Sequence, residues 1–391
     1  MAHLTKWWFV RCYGYISEAN GERDAGSSAP AILAVEQKGQ RLFSGGFMSE
    51  LRQNVITREW VIITPERAKR PDQFVRDKVA APPLPMSVPD CPFCVGNEHL
   101  TLDESFRIAD NENWRVRVIA NKFPALTGRG ERVRKVDGIY RSMSAVGFHE
   151  VIVEHRLHNM TAALMTEEEV ADILKVYRQR YRTIRKDNRI EAIIIFKNHG
   201  EAAGTSIVHP HSQLVATPIV PNQIRHRMDE AIRYFDDTGE CVCCKTVQDE
   251  INAKERIIFQ SKNFVALIPY AALSPFHTWI FPLRHVSSFD ETNDAEIKDL
   301  AKCLRIVLAK LYYGLNNPDF NYSIRSVPTR DLHTEYFHWY LTIVPRVSRT
   351  AGFEIGSGMY VNTALPEESA EFLRKVDVPD STRGSVIPLF E

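Results

Sequence analysis

His209-Pro-His211-Ser-Gln213-Leu-Val-Ala-Thr217 is the stretch on which the reading of this chain turns. Pro210 has no backbone donor and a fixed φ, which suits the entrance of a strand and not its interior. Beyond it, Gln213, Val215 and Thr217 alternate with Leu214 and Ala216, the period of a strand with one buried face. His209, His211 and Gln213 therefore project from the same side. An imidazole held in one tautomer through one ring nitrogen offers the other as a nucleophile toward phosphorus. Just upstream, Asn198-His-Gly200-Glu-Ala-Ala-Gly204-Thr-Ser206 supplies two glycines, an amide and two hydroxyls, a loop able to set donors against a phosphate. A lone histidine is usually a core or surface residue. Here the whole constellation points to phosphoryl chemistry.

Outward from this stretch the chain repeats itself. The first half runs from Cys91-Pro-Phe-Cys94 through strands at Val116–Ala120 and Phe148–Glu154 to His158. Thr166 and three glutamates then cap a helix over Glu167–Ile184, with Val170, Ile173, Leu174 and Tyr177 on one face, and a strand over Ile190–Lys197 follows. The second half restates the plan: Cys241-Val-Cys-Cys244, strands at Phe264–Ile268 and Thr278–Phe281, His285, a helix over Asp294–Tyr313, a strand at Asn321–Arg325, then His338 to Ile343. The interval from His158 to His211 equals that from His285 to His338, which supports duplication. The order predicts an α+β fold in which each half is a mainly antiparallel sheet with flanking helices. A linker is expected near Pro218–Arg233, which separates domains at 48–222 and 223–391. Trp279, Phe281, Trp339 and Tyr340 read as core of the second half. Residues 1–47 read as a disordered or non-native extension: the apolar run Trp7–Ile16 is broken by Arg11 and leads to no cleavage site.

Composition narrows the partners. Lys+Arg 49 balances Asp+Glu 49, so no bulk positive field draws in nucleic acid or an anionic membrane, and neither is expected as a partner. No apolar run is long enough to span a bilayer. Seven cysteines, four of them in C-x-x-C spacing, favour metal or redox chemistry in a reducing compartment, here the cytoplasm, over a disulfide framework. Two thiolates on a tight turn bind a tetrahedral ion when two more ligands complete it. His158 and His209 are the expected partners of Cys91 and Cys94. His285 and His338 are those of Cys241 and Cys244, with His333 as a substitute. Two structural zinc ions are expected, although such a ligand set also holds iron.

The His-Pro-His-Ser-Gln segment resembles the active-site strand of the histidine-triad superfamily, in particular its galactose-1-phosphate uridylyltransferase branch. Histidine-triad hydrolases carry a third histidine where the transferases carry glutamine, and this chain has Gln213 there. Gln213 can hold a phosphoryl oxygen but cannot relay a proton, which favours transfer over hydrolysis. The resemblance covers most of residues 50–375 and implies two tandem histidine-triad-like halves and a homodimer. It makes His211 the nucleophile and gives Gln213, Asn198 and Ser206 contacts to phosphate. Arg58-Glu-Trp60 through Arg67-Ala-Lys-Arg70-Pro71 resembles the family's N-terminal signature, so Arg67 and Arg70 would also meet phosphate. Asn121 and Phe123 match the nucleotide pocket, and Phe353 and Ile355 the hexose-recognition segment. Cys91, Cys94, His158 and His209 match the family's zinc ligands.

The family mechanism has two displacements. His211 takes a nucleotidyl group from a nucleotide sugar and releases a sugar 1-phosphate, and a second phosphate then removes the nucleotidyl group. Three departures bear on substrate: Cys241 and Cys244 appear where the best-known members hold iron through a His-x-His pair, the sugar-binding Glu and Gln fall on Gly358 and Ala364, and Lys122 replaces an Asp. A second branch, with two zinc sites and adenylyl transfer, has a similar Gly-Phe-Glu-Ile-Gly segment. UDP-glucose–hexose-1-phosphate uridylyltransferase is the first expectation. An ADP-glucose phosphorylase is the second, and a non-catalytic zinc-stabilised nucleotide binder the third.

Overall fold

The computed structural model describes residues 49–64, 71–75, 84–111 and 113–379. The extension 1–47, and Arg67 and Arg70, lie outside these. In chain order the strands and helices are β1 (Glu50–Gln53), β2 (Trp60–Ile63), β3 (Glu104–Asp110), β4 (Asn113–Ala120), β5 (Arg134–Asp137), β6 (Tyr140–Met143), β7 (Phe148–Val153), α1 (Glu167–Ile184), β8 (Ala192–His199) and β9 (His211–Thr217). After these come α2 (Asn222–Thr238), α3 (Val242–Ala253), β10 (Ile257–Gln260), β11 (Phe264–Leu267), β12 (Thr278–Pro282), α4 (Asp294–Gly314), β13 (Phe320–Arg325), β14 (Tyr340–Pro345), α5 (Gly352–Ser357), β15 (Tyr360–Asn362) and α6 (Pro366–Lys375).

Local sequence explains the two long helices. The Thr166 side chain accepts from Glu169 N while Glu169 reaches back to the Thr166 backbone, and Asn293 and Glu296 make the same reciprocal pair at the start of α4. Each pair satisfies two of the donors that a helix start leaves open. Val170, Ile173, Leu174 and Tyr177 of α1 are buried as their spacing requires.

The duplication becomes a sheet. Ten strands join in the order β10-β11-β12-β14-β13-β8-β9-β7-β4-β3. Every neighbouring pair is antiparallel. The order has an internal dyad: Ser323 lies opposite Phe196, and Thr342 and Gln213 flank those two in β14 and β9. The register therefore equates Tyr340 with His211, Thr342 with Gln213 and Arg325 with Asn198. Val151 opposes Gln213 as Trp279 opposes Thr342, which equates His149 with His277. This corrects the spacing argument: His338 is the counterpart of His209, and the equal intervals matched it to the wrong histidine of the pair.

α1 and α4 cover one face of this sheet in a single core that includes Leu214, Ala216, Tyr322, Ile324, Leu341 and Ile343. The opposite face is covered in the second half by α2 and α3, over Trp279, Phe281 and Tyr340. Trp279, Phe281, Trp339 and Tyr340 are all buried, as expected of core. The segment read as a linker is largely helix α2, whose Met228 and Ala231 are buried; its few apolar residues sit one turn apart among charges, so polarity masked the period. A small sheet, β1-β2-β15, stands apart, with β15 parallel to β2. No helix among the described residues is long and apolar enough to cross a membrane.

Candidate functional site

His211 opens β9 immediately after Pro210, as the alternation predicts. Its Nδ1 lies 2.9 Å from the His209 carbonyl oxygen, to which only an N–H can donate, so the lone pair is on Nε2. Phe93, from the Cys-Pro-Phe-Cys turn, packs edge-on against the ring with centroids 5.3 Å apart. Burial lowers the pKa of His211, opposed by the bond to the His209 carbonyl. Neutral imidazole, the nucleophilic form, is favoured.

The strand entrance is tied to a four-ligand cluster. One side-chain atom from each of Cys91, Cys94, His158 and His209 falls within a 4.8 Å group, and Cys241, Cys244, His285 and His338 form a second. Cys94 Sγ lies 3.6 Å from both His158 Nδ1 and His209 Nδ1. His209 Nε2 donates to the His155 carbonyl at 2.7 Å and His285 Nε2 to that of Thr334 at 3.0 Å, leaving Nδ1 of each to face the cluster. Outer bonds of this kind orient metal-ligating histidines. Both clusters therefore fit a tetrahedral ion held by two sulfurs and two nitrogens, the preference of zinc. His333 is not a ligand; its ring pairs with Glu291 at 2.6 Å.

Gln213 has a partner that the sequence reading missed. His149 Nδ1 accepts the Ala125 N–H at 3.1 Å, so its Nε2 carries the proton and donates to Gln213 Oε1 at 2.7 Å. With its oxygen held, Gln213 presents its amide hydrogens outward. Asn121 lies against the same ring nitrogen at 3.1 Å, its own oxygen held by the Phe123 N–H. Asn198 is oriented likewise: Asn321 donates to its Oδ1 at 2.7 Å, again freeing an NH2. Gly200 and Gly204 in the intervening loop have φ of 83° and 85°. A Cβ on Gly200 would come within 2.2 Å of the Asp319 carboxylate, which accepts the Ala202 N–H, so glycine is required there.

Beneath β9 lies a buried polar network. Lys197 Nζ pairs with Glu154 and donates to the His211 carbonyl at 3.2 Å. Tyr177 donates to Glu154 at 3.1 Å and sits 2.6 Å from the hydroxyl of Tyr322, which comes from the second half. Burial pushes both phenol pKa values well up, so both remain donors. Signals for His149 and Lys197 were present, since each stands on a strand in the face that its partner requires. Only the pairing of distant strands reveals the partners.

His211, Gln213 and Asn198 stand on the neighbouring strands β9 and β8, and Asn121, just past β4, is linked to Gln213 through His149. Ser206 is exposed in the loop between β8 and β9, and Phe123 beyond β4 is 84 % exposed. Phe353 and Ile355 stand on α5, 51 % and 78 % exposed, beside the small sheet and away from β9.

Fold and site together define a class: nucleotidyl-transferring enzymes built from two dyad-related halves. The family models named Galactose-1-phosphate uridyl transferase, N-terminal domain and C-terminal domain, match residues 44–221 and 227–378. The chain belongs to the galactose-1-phosphate uridyl transferase family. ADP-glucose phosphorylase of Arabidopsis thaliana is 38% identical over 335 residues, 84% of this chain and 93% of the relative. Galactose-1-phosphate uridylyltransferases of Thermotoga maritima and Haemophilus influenzae are 29% and 30% identical, over 85% and 83% of this chain and 99% and 93% of theirs. The crystal structure of the Arabidopsis ADP-glucose phosphorylase with bound ADP-glucose matches at TM-score 0.72 and 35% identity, covering 85% of this chain and 99% of that one.

Proposed function

We propose that the chain transfers a nucleotidyl group through His211, with ADP-glucose as donor and inorganic phosphate as acceptor. The single observation that carries the chemistry is the Nδ1–H bond from His211 to the His209 carbonyl at 2.9 Å, which aims a lone pair from Nε2. In the first displacement, Nε2 forms a bond to the α-phosphorus as the bond to the sugar-phosphate oxygen breaks. Sugar 1-phosphate leaves with that electron pair. In the second, an oxygen of phosphate attacks the same phosphorus, the P–N pair returns to Nε2, and a nucleoside diphosphate leaves. Gln213 and Asn198 direct amide hydrogens at the phosphoryl oxygens, joined by Ser206 and by Arg67 and Arg70 of the N-terminal signature. Asn121 and Phe123 flank the nucleotide, and Phe353 and Ile355, away from β9 in their own chain, meet the sugar across a dimer.

Zinc in each Cys2His2 cluster, when bound, is saturated by protein ligands and acts as a structural brace, with no open position for Lewis-acid work. At Cys91, Cys94, His158 and His209 it anchors the strand entrance that carries His211. The adenylyl reading rests on the greater identity to the ADP-glucose phosphorylase. Uridylyl transfer between UDP-glucose and a hexose 1-phosphate is the second reading, supported by the named uridylyltransferases at lower identity. A homodimer fits both, since Phe353 and Ile355 lie exposed and away from β9, and the unbridged cysteines fit the cytoplasm.

The test is covalent labelling. The metal-loaded chain is incubated with ADP-glucose or UDP-glucose labelled at the α-phosphorus, denatured, and assayed for acid-labile label at His211. Label from ADP-glucose, absent in His211→Ala and discharged by phosphate to labelled ADP, is expected. Label from UDP-glucose alone moves the chain to the second reading. No label from either leaves a nucleotide binder.

A further inference from the structure

The internal dyad places a second constellation in the C-terminal half, at the stations of His211, Gln213, Asn198 and His149. There the chain has Tyr340, Thr342, Arg325 and His277. Part of the first site is copied: His277 Nε2 donates to Thr342 Oγ1 at 2.8 Å, as His149 does to Gln213. The nucleophile is gone. The Tyr340 ring packs against Phe281 and Trp279, with centroids 5.0 and 5.4 Å away, and no imidazole stands at the nucleophile's station.

Positive charge has replaced it. Arg325 is half-buried directly across the ladder from Tyr340, and Arg227 of α2, 9 % exposed, precedes Met228 in the core cluster that holds Tyr340. The other buried arginines are bonded: Arg52 to Glu50 and Glu367, Arg117 to Glu104, Arg180 to Glu150, and Arg305 to the Met165 carbonyl. Arg227 and Arg325 have neither a hydrogen bond nor an ion pair among the described residues. Their charge is felt locally. Burial, and then the charge of Arg227, bring the Arg325 pKa down to about 10. Glu59 is the carboxylate whose charge reaches Arg325; it makes no ion pair with either arginine and accepts from Thr57 Oγ1 at 2.9 Å. Without an ion pair to Glu59, the two partly buried guanidiniums keep donors that no group among the described residues fills. His226 Nε2 donates to the Thr57 carbonyl at 3.1 Å and so pins α2 to the segment that carries Glu59.

We propose that Arg227 and Arg325, with the Tyr340 hydroxyl, form a binding site for a small tetrahedral oxyanion, either orthophosphate or the phosphoryl group of a small metabolite. Guanidinium forks match two edges of such an anion, and a phenol hydroxyl supplies a further donor. The site binds without turnover and stands apart from His211, so it does not depend on the donor base or on catalysis.

Equilibrium dialysis of the metal-loaded full-length His211→Ala chain, which cannot turn the mixture over, with labelled orthophosphate tests it, with and without saturating ADP-glucose and UDP-glucose to fill the first site. One phosphate per chain that resists both nucleotide sugars is expected. Arg227→Met and Arg325→Met should each weaken it about tenfold or more, and Arg325→Lys less. Competition separates the sources: displacement by glucose 1-phosphate at concentrations below those of orthophosphate assigns a metabolite, and the reverse order the free ion. A footprint on the unmodified chain guards against variants that fail to fold. Phosphate should slow phenylglyoxal modification at Arg227 and Arg325, read by peptide mass. Absence of nucleotide-resistant phosphate, folded Met variants that bind like the parent chain, or equal modification with and without phosphate would each overturn the proposal.

Discussion

At the residue scale, rotational choices are removed one bond at a time. The His209 carbonyl selects the His211 tautomer, Asn321 turns Asn198, and His149 turns Gln213. An amide free to rotate presents its oxygen as readily as its hydrogens, and oxygen facing a phosphoryl group repels it. His149→Phe keeps a ring on the strand but loses the bond. Nucleotidyl transfer should then fall about tenfold to hundredfold in kcat, with KM for the nucleotide sugar nearly unchanged, because the lost interaction matters most as charge develops. Stopped-flow formation of the nucleotidyl-enzyme would show the slowing directly. An unchanged kcat, or a loss confined to KM, would remove His149 from this role.

At the scale of elements, paired strands bury groups that a strand alone would leave wet. His277 begins beside β12, and β14 brings Thr342 to it; Nδ1 accepts from Leu273 N–H at 3.3 Å and Nε2 donates to Thr342. Burial, then the charge of Arg325, pushes the His277 pKa from 6.5 down to about 3. The folded chain therefore holds this ring neutral while the unfolded chain protonates it. Its contribution is complete above the unfolded pKa and is lost as pH falls toward the folded one. Over pH 6 to 5 the loss should approach about 1.4 kcal/mol per unit. Urea unfolding across that range should give a steeper decline for the parent chain than for His277→Gln. Parallel curves would contradict the burial argument.

For the whole molecule, the seam between β8 and β13 matters most. The two halves do not merely abut: Phe320 through Ser323 pair with His199 through Phe196, and Tyr322 completes the hydrogen bonds beneath His211. A chain cut after residue 222 would leave β8 as an open edge and strip the α1 core of its α4 neighbour. Residues 48–222 alone should therefore self-associate or lack a cooperative transition, and coexpression with 223–391 should restore both. Size-exclusion chromatography and thermal unfolding decide it. A monomeric fragment with the stability of the full chain would show that the first half is self-sufficient.

Local rules made much of this legible in advance. Strand alternation after Pro210, the capped start at Thr166 and the C-x-x-C turns depend on residues a few positions apart, where geometry is set by the chain itself. The positions of His211 and Gln213 follow from that, whereas the histidines of both clusters were read from ligand chemistry and are brought to their cysteines by the fold. The register that matches His209 with His338, the helix under polar residues 222–238, and the partners of Gln213 and Lys197 depend on which strands lie side by side. So does the meeting of Arg227 of α2 with Arg325 at the copied station. Sequence spacing determined which side chains share a face. Tertiary pairing alone decided which faces meet, because a hydrogen bond across strands is made between residues whose separation along the chain carries no information about their distance in space.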